Sequence, residues 1–453
     1  MRIKIIIGVL LSALLIYPMQ AQKAYKYRIA LTDKAGTEYT LENPQDFLSQ
    51  RALERRTRQQ LMVDSTDLPV SKVYLQELMV AGSRIVTTSK WNNTVVIEIN
   101  DTTLIESLKN LSFVKETKKV WTQPDSIPLR NTKRKKEVTN QLEKETDFYG
   151  KGYQQINIHG GDSLHAAGFR GEGMHVAIID AGFYNADHIV FFKKTNILGT
   201  KDFVNPTSDI YAENNHGMMV FSCMAANAPK AFVGTAPQAS YWLLRSEDAD
   251  SEQPVEEDYW AAAMEYADSV GVDVINTSLG YYAFDDSSAN YRYRDLNGHY
   301  SLMSHTASMA ADKGMVVVCS AGNSGRGSWK KVTPPGDAEN IITVGALTHE
   351  LVNTDFSSVG NTADGRIKPD AMAIGHQATV SSNSGTVSHA NGTSFASPIL
   401  CGVVTCFWQA CPWLTAKEVV QAVQKAGNRS DYPDNIYGYG IPNLWDAYLK
   451  TKE

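Results

Sequence analysis

Five short runs of this chain are rich in apolar residues: MHVAIID (174–180), ASYWLLR (239–245), VDVINTSL (272–279), MVVVCSAGN (315–323) and NIITVGAL (340–347). A strand that faces water on one side alternates apolar and polar residues, and these do not. Such runs read as strands buried on both faces, which is the condition of a parallel sheet covered by helices on each side. Between them lie stretches with helical spacing, such as YWAAAMEYADSVG (259–271) and MSHTASMAADKG (303–314). The pattern sets in at Tyr149 and predicts one large α/β domain over 149–453.

The preceding residues have a different rhythm. YKYRIALT (25–32), Arg84 to Thr88, Thr94 to Ile99 and Phe113 to Val120 read as strands, and residues 71–81 and 101–111 carry helical spacing. The order β-α-β-β-α-β predicts a small ferredoxin-like α+β domain over 22–120. An insertion at 34–68 interrupts it with a charged, helix-like stretch, LSQRALERRTRQQL. Residues 121–148 are polar and lack apolar periodicity, so they read as a linker. Its basic run, Lys133-Arg134-Lys135-Lys136, reads as solvated, since Glu137, Glu143 and Glu145 follow.

The chain begins with Arg2 and Lys4 ahead of an apolar stretch from Ile5 to Ile16, and Ala21 suits the residue before a cleavage point. This predicts a signal peptide at 1–21 and a protein secreted to the extracellular space or periplasm, with no membrane association after cleavage. A formal net charge of −6 gives no reason to expect nucleic acid as a partner. The five cysteines, an odd number, sit in apolar surroundings and read as small buried hydrophobes rather than a disulfide framework.

Chemistry concentrates in short segments at the ends of predicted strands or heads of predicted helices, where open α/β sheets place ligands. VAIIDAGF (176–183) puts Asp180 at a strand end, and NNHGMMV (214–220) puts His216 at a helix head. NGTSFASP (391–398) puts Ser394 at another helix head, and CSAGNSG (319–325) puts Asn323 after a strand. A carboxylate can orient an imidazole, which can take a serine proton. An amide and a helix N-terminus can donate to an oxyanion. Alone, each segment has a plainer reading: a turn Asp, a structural His, a helix cap. Together, in the order Asp, His, Ser, they point to one site.

These segments, with VGTAP (233–237), NTSLG (276–280), FSSVG (356–360) and KPD (368–370), resemble the subtilisin-like serine proteases, or subtilases, over about residues 149–448. The N-terminal unit resembles their inhibitory prodomain. The resemblance implies a parallel sheet sandwiched by helices and a serine endopeptidase acting through an acyl-enzyme, self-processed from a proenzyme. It implies Ser394 as nucleophile, His216 as base and then acid, Asp180 as its orienting partner, and Asn323 with the Ser394 N–H as oxyanion donors. Ser278, Leu279 and Gly280 would form one wall of the specificity pocket, and Ser320, Ala321 and Gly322 the other, with Thr333 near the floor. No charge lies there, so an apolar side chain is expected before the scissile bond. Tyr281, Tyr282, Tyr291 and Tyr293 are candidates for the cleft rim. The expected partners are polypeptide substrates and the chain's own prodomain.

The sequence also departs from the family pattern. Ala181 stands where a hydroxyl is usual, and Met218, Met219, Phe221 and Ser222 replace the usual helix after the histidine. NAPKAF (227–232) lacks the asparagine-rich calcium loop, so no cofactor is required and no calcium site is assigned. The acidic stretch 247–258 is chemically suited to calcium but reads as a solvated loop. The alternative from another class is a catalytically silent peptide-binding relative, which the intact triad argues against. A lipase would want G-x-S-x-G with Ser first, and a zinc protease H-E-x-x-H; neither is present.

Overall fold

A computed structural model describes residues 23–125 and 147–452. The signal-peptide assignment at 1–21 and most of the 121–148 linker, basic run included, fall outside the described residues.

The N-terminal unit contains β1 (Tyr25–Leu31), α1 (Gln50–Arg58), α2 (Lys72–Val80), β2 (Arg84–Ser89), β3 (Thr94–Ile99), α3 (Leu104–Leu108) and β4 (Val114–Thr122). Its four strands are antiparallel in the order β2-β3-β1-β4, the ferredoxin-like arrangement. Alternation divides the sheet. Ile29, Leu31, Val95 and Ile97 bury one face with Leu78 of α2 and Ile105 and Leu108 of α3. Val96 and Val120 point the other way, onto Val255 and Tyr259 of the C-terminal domain. The last strand runs two residues past the expected Val120, to Thr122.

The C-terminal domain is built on β5 (His175–Asp180), β6 (Asn196–Asp202), β7 (Ser240–Arg245), β8 (Val274–Thr277), β9 (Val316–Ser320), β10 (Ile342–Leu347) and β11 (Ala371–Ile374). All pair in parallel, in the order β11-β10-β9-β8-β5-β7-β6. The helices that matter here are α4 (His216–Ala225), α5 (Val255–Ser269), α6 (Leu302–Asp312) and α7 (Thr393–Ala410). Val176 and Ile178 of β5 join Phe221 of α4 and Ile399 and Val403 of α7 in one apolar cluster. Ala177 and Ile179 join Trp260 and Met264 of α5 and Met303 and Ala307 of α6 in the other. Both faces are covered, which is why the strands carry no polar alternation. The chain passes from β7 on one side of β5 to β8 on the other. That reversal opens a crevice at the carboxyl end of β5, the usual place for a site.

The two domains meet through α5 and α6. Trp91, in the β2–β3 turn, is 4% exposed and joins the apolar cluster of these helices. The Glu265 carboxylate of α5 accepts from the Ser89 hydroxyl and from the Lys90 and Trp91 N–H groups. The insertion supplies a second anchor: Arg55 and Arg56 of α1 converge on buried Asp268, and Arg51 pairs with Asp273.

The acidic stretch 247–258 is a partly exposed loop as far as Pro254, but its end is not solvated as expected. Glu256, Glu257 and Asp258 are buried in the first turn of α5, where the helix N-terminus favours carboxylates. Glu256 accepts from the Asp248 and Gln253 N–H groups at 2.8 and 2.9 Å. Asp258 takes both arms of Arg28 from β1 at 2.6 and 2.7 Å. The five cysteines are all free and buried.

Candidate active site

Asp180 is the last residue of β5, and its Oδ1 lies 2.7 Å from Nδ1 of His216, the first residue of α4. Glycine at 217 permits this approach: a Cβ there would sit 2.5 Å from the Gly182 carbonyl and 2.8 Å from the Asp180 Cβ. The Asn214 side chain accepts from the His216 N–H at 2.8 Å and fixes the start of the helix. Burial disfavours the imidazolium, but the charge of Asp180 and its hydrogen bond outweigh burial, and the His216 pKa is raised to about 8. The Asp180 Oδ1 also accepts from the Ala181 N–H at 2.8 Å, while Oδ2 is buried without a partner.

Ser394 lies in the first turn of α7, behind Gly392 at φ +154°. Paired bonds join it to the residue after β8: the Ser278 hydroxyl donates to the Ser394 carbonyl at 2.8 Å, and the Ser394 hydroxyl to the Ser278 carbonyl at 3.4 Å. Ser397, one turn further, donates to the Asn276 side chain at 2.8 Å. Between His216 and Ser394 themselves there is no hydrogen bond among the described residues. Catalytic hydrogen bonds are commonly long before substrate binds.

Asn323 follows β9. Its Oδ1 accepts from both the N–H and the hydroxyl of Thr393, at 2.9 and 3.0 Å, and the same hydroxyl accepts from the Gly322 N–H at 3.1 Å. With the carbonyl end committed, the amide NH2 is left to donate beside the start of α7. Sequence reading missed Thr393 as the residue that orients Asn323. The signal was present, since Thr393 directly precedes the serine in the same motif.

Thr333 lies between the two expected walls. Its Oγ1 would be 2.4 Å from a Cβ on Gly280 and 2.9 Å from one on Gly322. The Thr333 side chain therefore packs against both glycines, and a Cβ on either would collide with it. Ser278, Ser320, Ala321 and Thr333 are all buried, and Leu279 packs into the cluster of α5 and α6. Of the four tyrosines expected at the rim, Tyr281 lines a cavity at the cleft, beside His216 and Ser278–Gly280. Tyr282 stacks on Trp329, Tyr291 donates to Glu257, and Tyr293 donates to the Thr362 carbonyl.

Comparison with known proteins agrees with this layout. The profile of the subtilase family matches residues 171–440, and that of the peptidase S8 propeptide domain of Bacteroidota matches residues 26–140. Subtilisin DY of Bacillus licheniformis is 29% identical over 289 residues, covering 62% of this chain and 93% of that protein. Serine protease AprX of Bacillus subtilis is 28% identical over 308 residues, covering 60% of this chain and 65% of that protein. The crystal structure of the epidermin leader peptide processing serine protease of Staphylococcus aureus superposes with a TM-score of 0.66. It covers 95% of this chain and 99% of the other at 15% identity, a likeness of fold.

Proposed function

The chain belongs to the subtilase family of serine-type endopeptidases, and from that premise we propose that it is a secreted enzyme, held inactive by its own prodomain, with Ser394, His216 and Asp180 as its triad. The observation that carries the reading is the 2.7 Å contact of Asp180 with His216 at the sheet's carboxyl edge, beside a serine at a helix start and an amide with its donor end free. In this mechanism the Ser394 hydroxyl turns from the Ser278 carbonyl toward His216 as a substrate enters. Its oxygen attacks the scissile carbonyl while His216 Nε2 takes the proton. Asp180 holds Nδ1–H and stabilises the imidazolium. The oxyanion receives the Asn323 NH2 and the Ser394 N–H. His216 then returns the proton to the leaving amine, and water repeats the sequence on the acyl-enzyme. Substrate enters with an apolar side chain in the slot above Thr333.

The prodomain acts as a tethered inhibitor. Its last described strand ends at the cleft: the Thr122 N–H donates to the Gln253 side chain at 2.8 Å, and the Gln253 amide returns a bond at 3.1 Å. Tethering raises its local concentration, so a cut within 121–148 weakens inhibition without altering a contact. Labelling by a fluorophosphonate, with and without Ser394→Ala, tests the central claim. The variant should fold, lose the label and lose peptide hydrolysis. Full hydrolysis by Ser394→Ala would sink the assignment.

A further inference from the structure

Beside His216 lies a cavity of about 460 Å³, with Met219 and Ser278–Gly280 in its lining together with Glu247, Glu252 and Tyr281. The two carboxylates differ from the rest of their acidic stretch. Glu256, Glu257 and Asp258 are each satisfied by backbone N–H groups, a tyrosine hydroxyl or Arg28. The side chains of Glu247 and Glu252 have no hydrogen bond and no ion pair among the described residues. Burial pushes each up to about 7, with Asp180 adding to the effect on Glu247 and Asp285 on Glu252. The one guanidinium near Glu247, that of Arg245, is committed to Asp202 at 2.8 Å and to the Ala181 carbonyl at 3.0 Å. A second observation is independent of charge. Tyr281 is 2% exposed and its hydroxyl has no partner, although it lies among Glu247, Glu252 and Glu256. A buried hydroxyl and two half-buried carboxylates share one cavity and, among the described residues, lack a cationic partner.

The direction of the chain says which part of a substrate comes here. β4 delivers the prodomain to Gln253, next to Glu252, and the chain then continues toward the catalytic domain. A polypeptide that enters by this rim and is cut at Ser394 leaves the residues before the cut in this cavity. In an extended strand, alternate side chains share a face and lie about 7 Å apart. Residues two and four places before the scissile bond therefore point to the same side.

We propose that Glu247, Glu252 and Tyr281 form a subsite for basic side chains, so that the enzyme prefers polypeptides with Lys or Arg two to four residues before the scissile bond. The ammonium or guanidinium would donate to both carboxylates and to the Tyr281 oxygen, while the uncharged slot takes the residue at the cut. Lys133-Arg134-Lys135-Lys136, between the last prodomain strand and the catalytic domain, has this chemistry and is the first such ligand the enzyme meets. The proposal rests on the endopeptidase reading above.

The test uses mature enzyme and fluorogenic peptides with one apolar residue at the cut. The residues two, three and four places earlier are set in turn to Arg, norleucine or Glu. The expected ratio of kcat/KM for Arg over norleucine at one or more of these positions is about tenfold or more, the scale of one partly buried ion pair, and it falls with salt. Glu247→Gln and Glu252→Gln should each shrink that ratio, and Glu252→Arg should favour the Glu peptides. If a variant does not fold, as judged by fluorophosphonate labelling, the salt series on the wild type decides. Equal turnover of Arg and norleucine peptides at every position overturns the subsite, while no turnover of any peptide sinks the endopeptidase reading instead. In the full chain, replacing residues 133–136 with Gln should slow release of the mature enzyme several-fold; an unchanged rate overturns the role given to the linker.

Discussion

At the scale of single residues, the site's properties come from who occupies each lone pair. His216 accepts a proton only when neutral, and its pKa is raised to about 8. The free enzyme's kcat/KM should therefore climb as pH rises through about 8 and level off above it. A rate profile flat from pH 6 to 9 would contradict this. The same shift gives the opposite sign for stability: the imidazolium–Asp180 pair stabilises the fold fully below the unfolded value of about 6.5 and ceases to as pH passes about 8. Asn323→Ala should lower kcat by roughly 10²–10³-fold with little change in KM, the loss known for the equivalent donor in subtilisin. Ala181→Ser would give the bare Asp180 Oδ2 a donor. A buried oxygen without a partner costs about 1–3 kcal/mol, so this variant should melt a few degrees higher in calorimetry. An unchanged melting temperature would mean that the oxygen is already satisfied by solvent.

At the scale of elements, α1 decides how firmly the prodomain is held. Asp268 is fully buried, and Arg55 and Arg56 supply two of the cations around it. Their attraction outweighs burial and holds its carboxyl down at about 2. Removing both arginines strands a buried charge, at roughly 3–5 kcal/mol. After the linker is cut, an Arg55→Ala, Arg56→Ala prodomain should dissociate some 10²–10³-fold faster than the unaltered one, read as the gain of activity with time. Equal release would mean that Trp91 and the sheet face carry the interface alone. The charged helix was visible in LSQRALERRTRQQL, but its partners were not. Arg55 and Asp268 lie 213 residues apart, and pairing at that distance leaves no periodic trace in a sequence. The same limit explains the misreading of Glu256, Glu257 and Asp258 at the end of that stretch. Acidic composition suggests solvent, and only the fold brings Arg28 to Asp258.

At the scale of the whole molecule, both architectures were legible because each sheet imposes its own rhythm. MVVVCS can be read as a doubly covered strand without knowing its neighbours, and the turns around 91–93 separate β2 from β3. The positions of Asp180, His216 and Ser394 were legible because each stands in a compact motif at an element end. The contacts of Tyr282, Tyr291 and Tyr293 were not, since they depend on Trp329, Glu257 and Thr362. Self-maturation, if the proposed function holds, is tested on the intact chain. Active and Ser394→Ala proteins expressed side by side should differ in secreted mass, with the active form cut within about residues 121–148; equal full-length masses would exclude self-processing. The five thiols add a property that belongs to the molecule rather than to any site. Each is buried, and burial pushes each thiol up, away from the thiolate that reacts. The folded protein is thus chemically silent toward alkylating reagents, and a thiol becomes visible only when the surrounding structure opens. Cys319 lies at the centre of the sheet and Cys411 beyond the end of α7, so the order in which they are alkylated is a built-in clock for local opening against global unfolding.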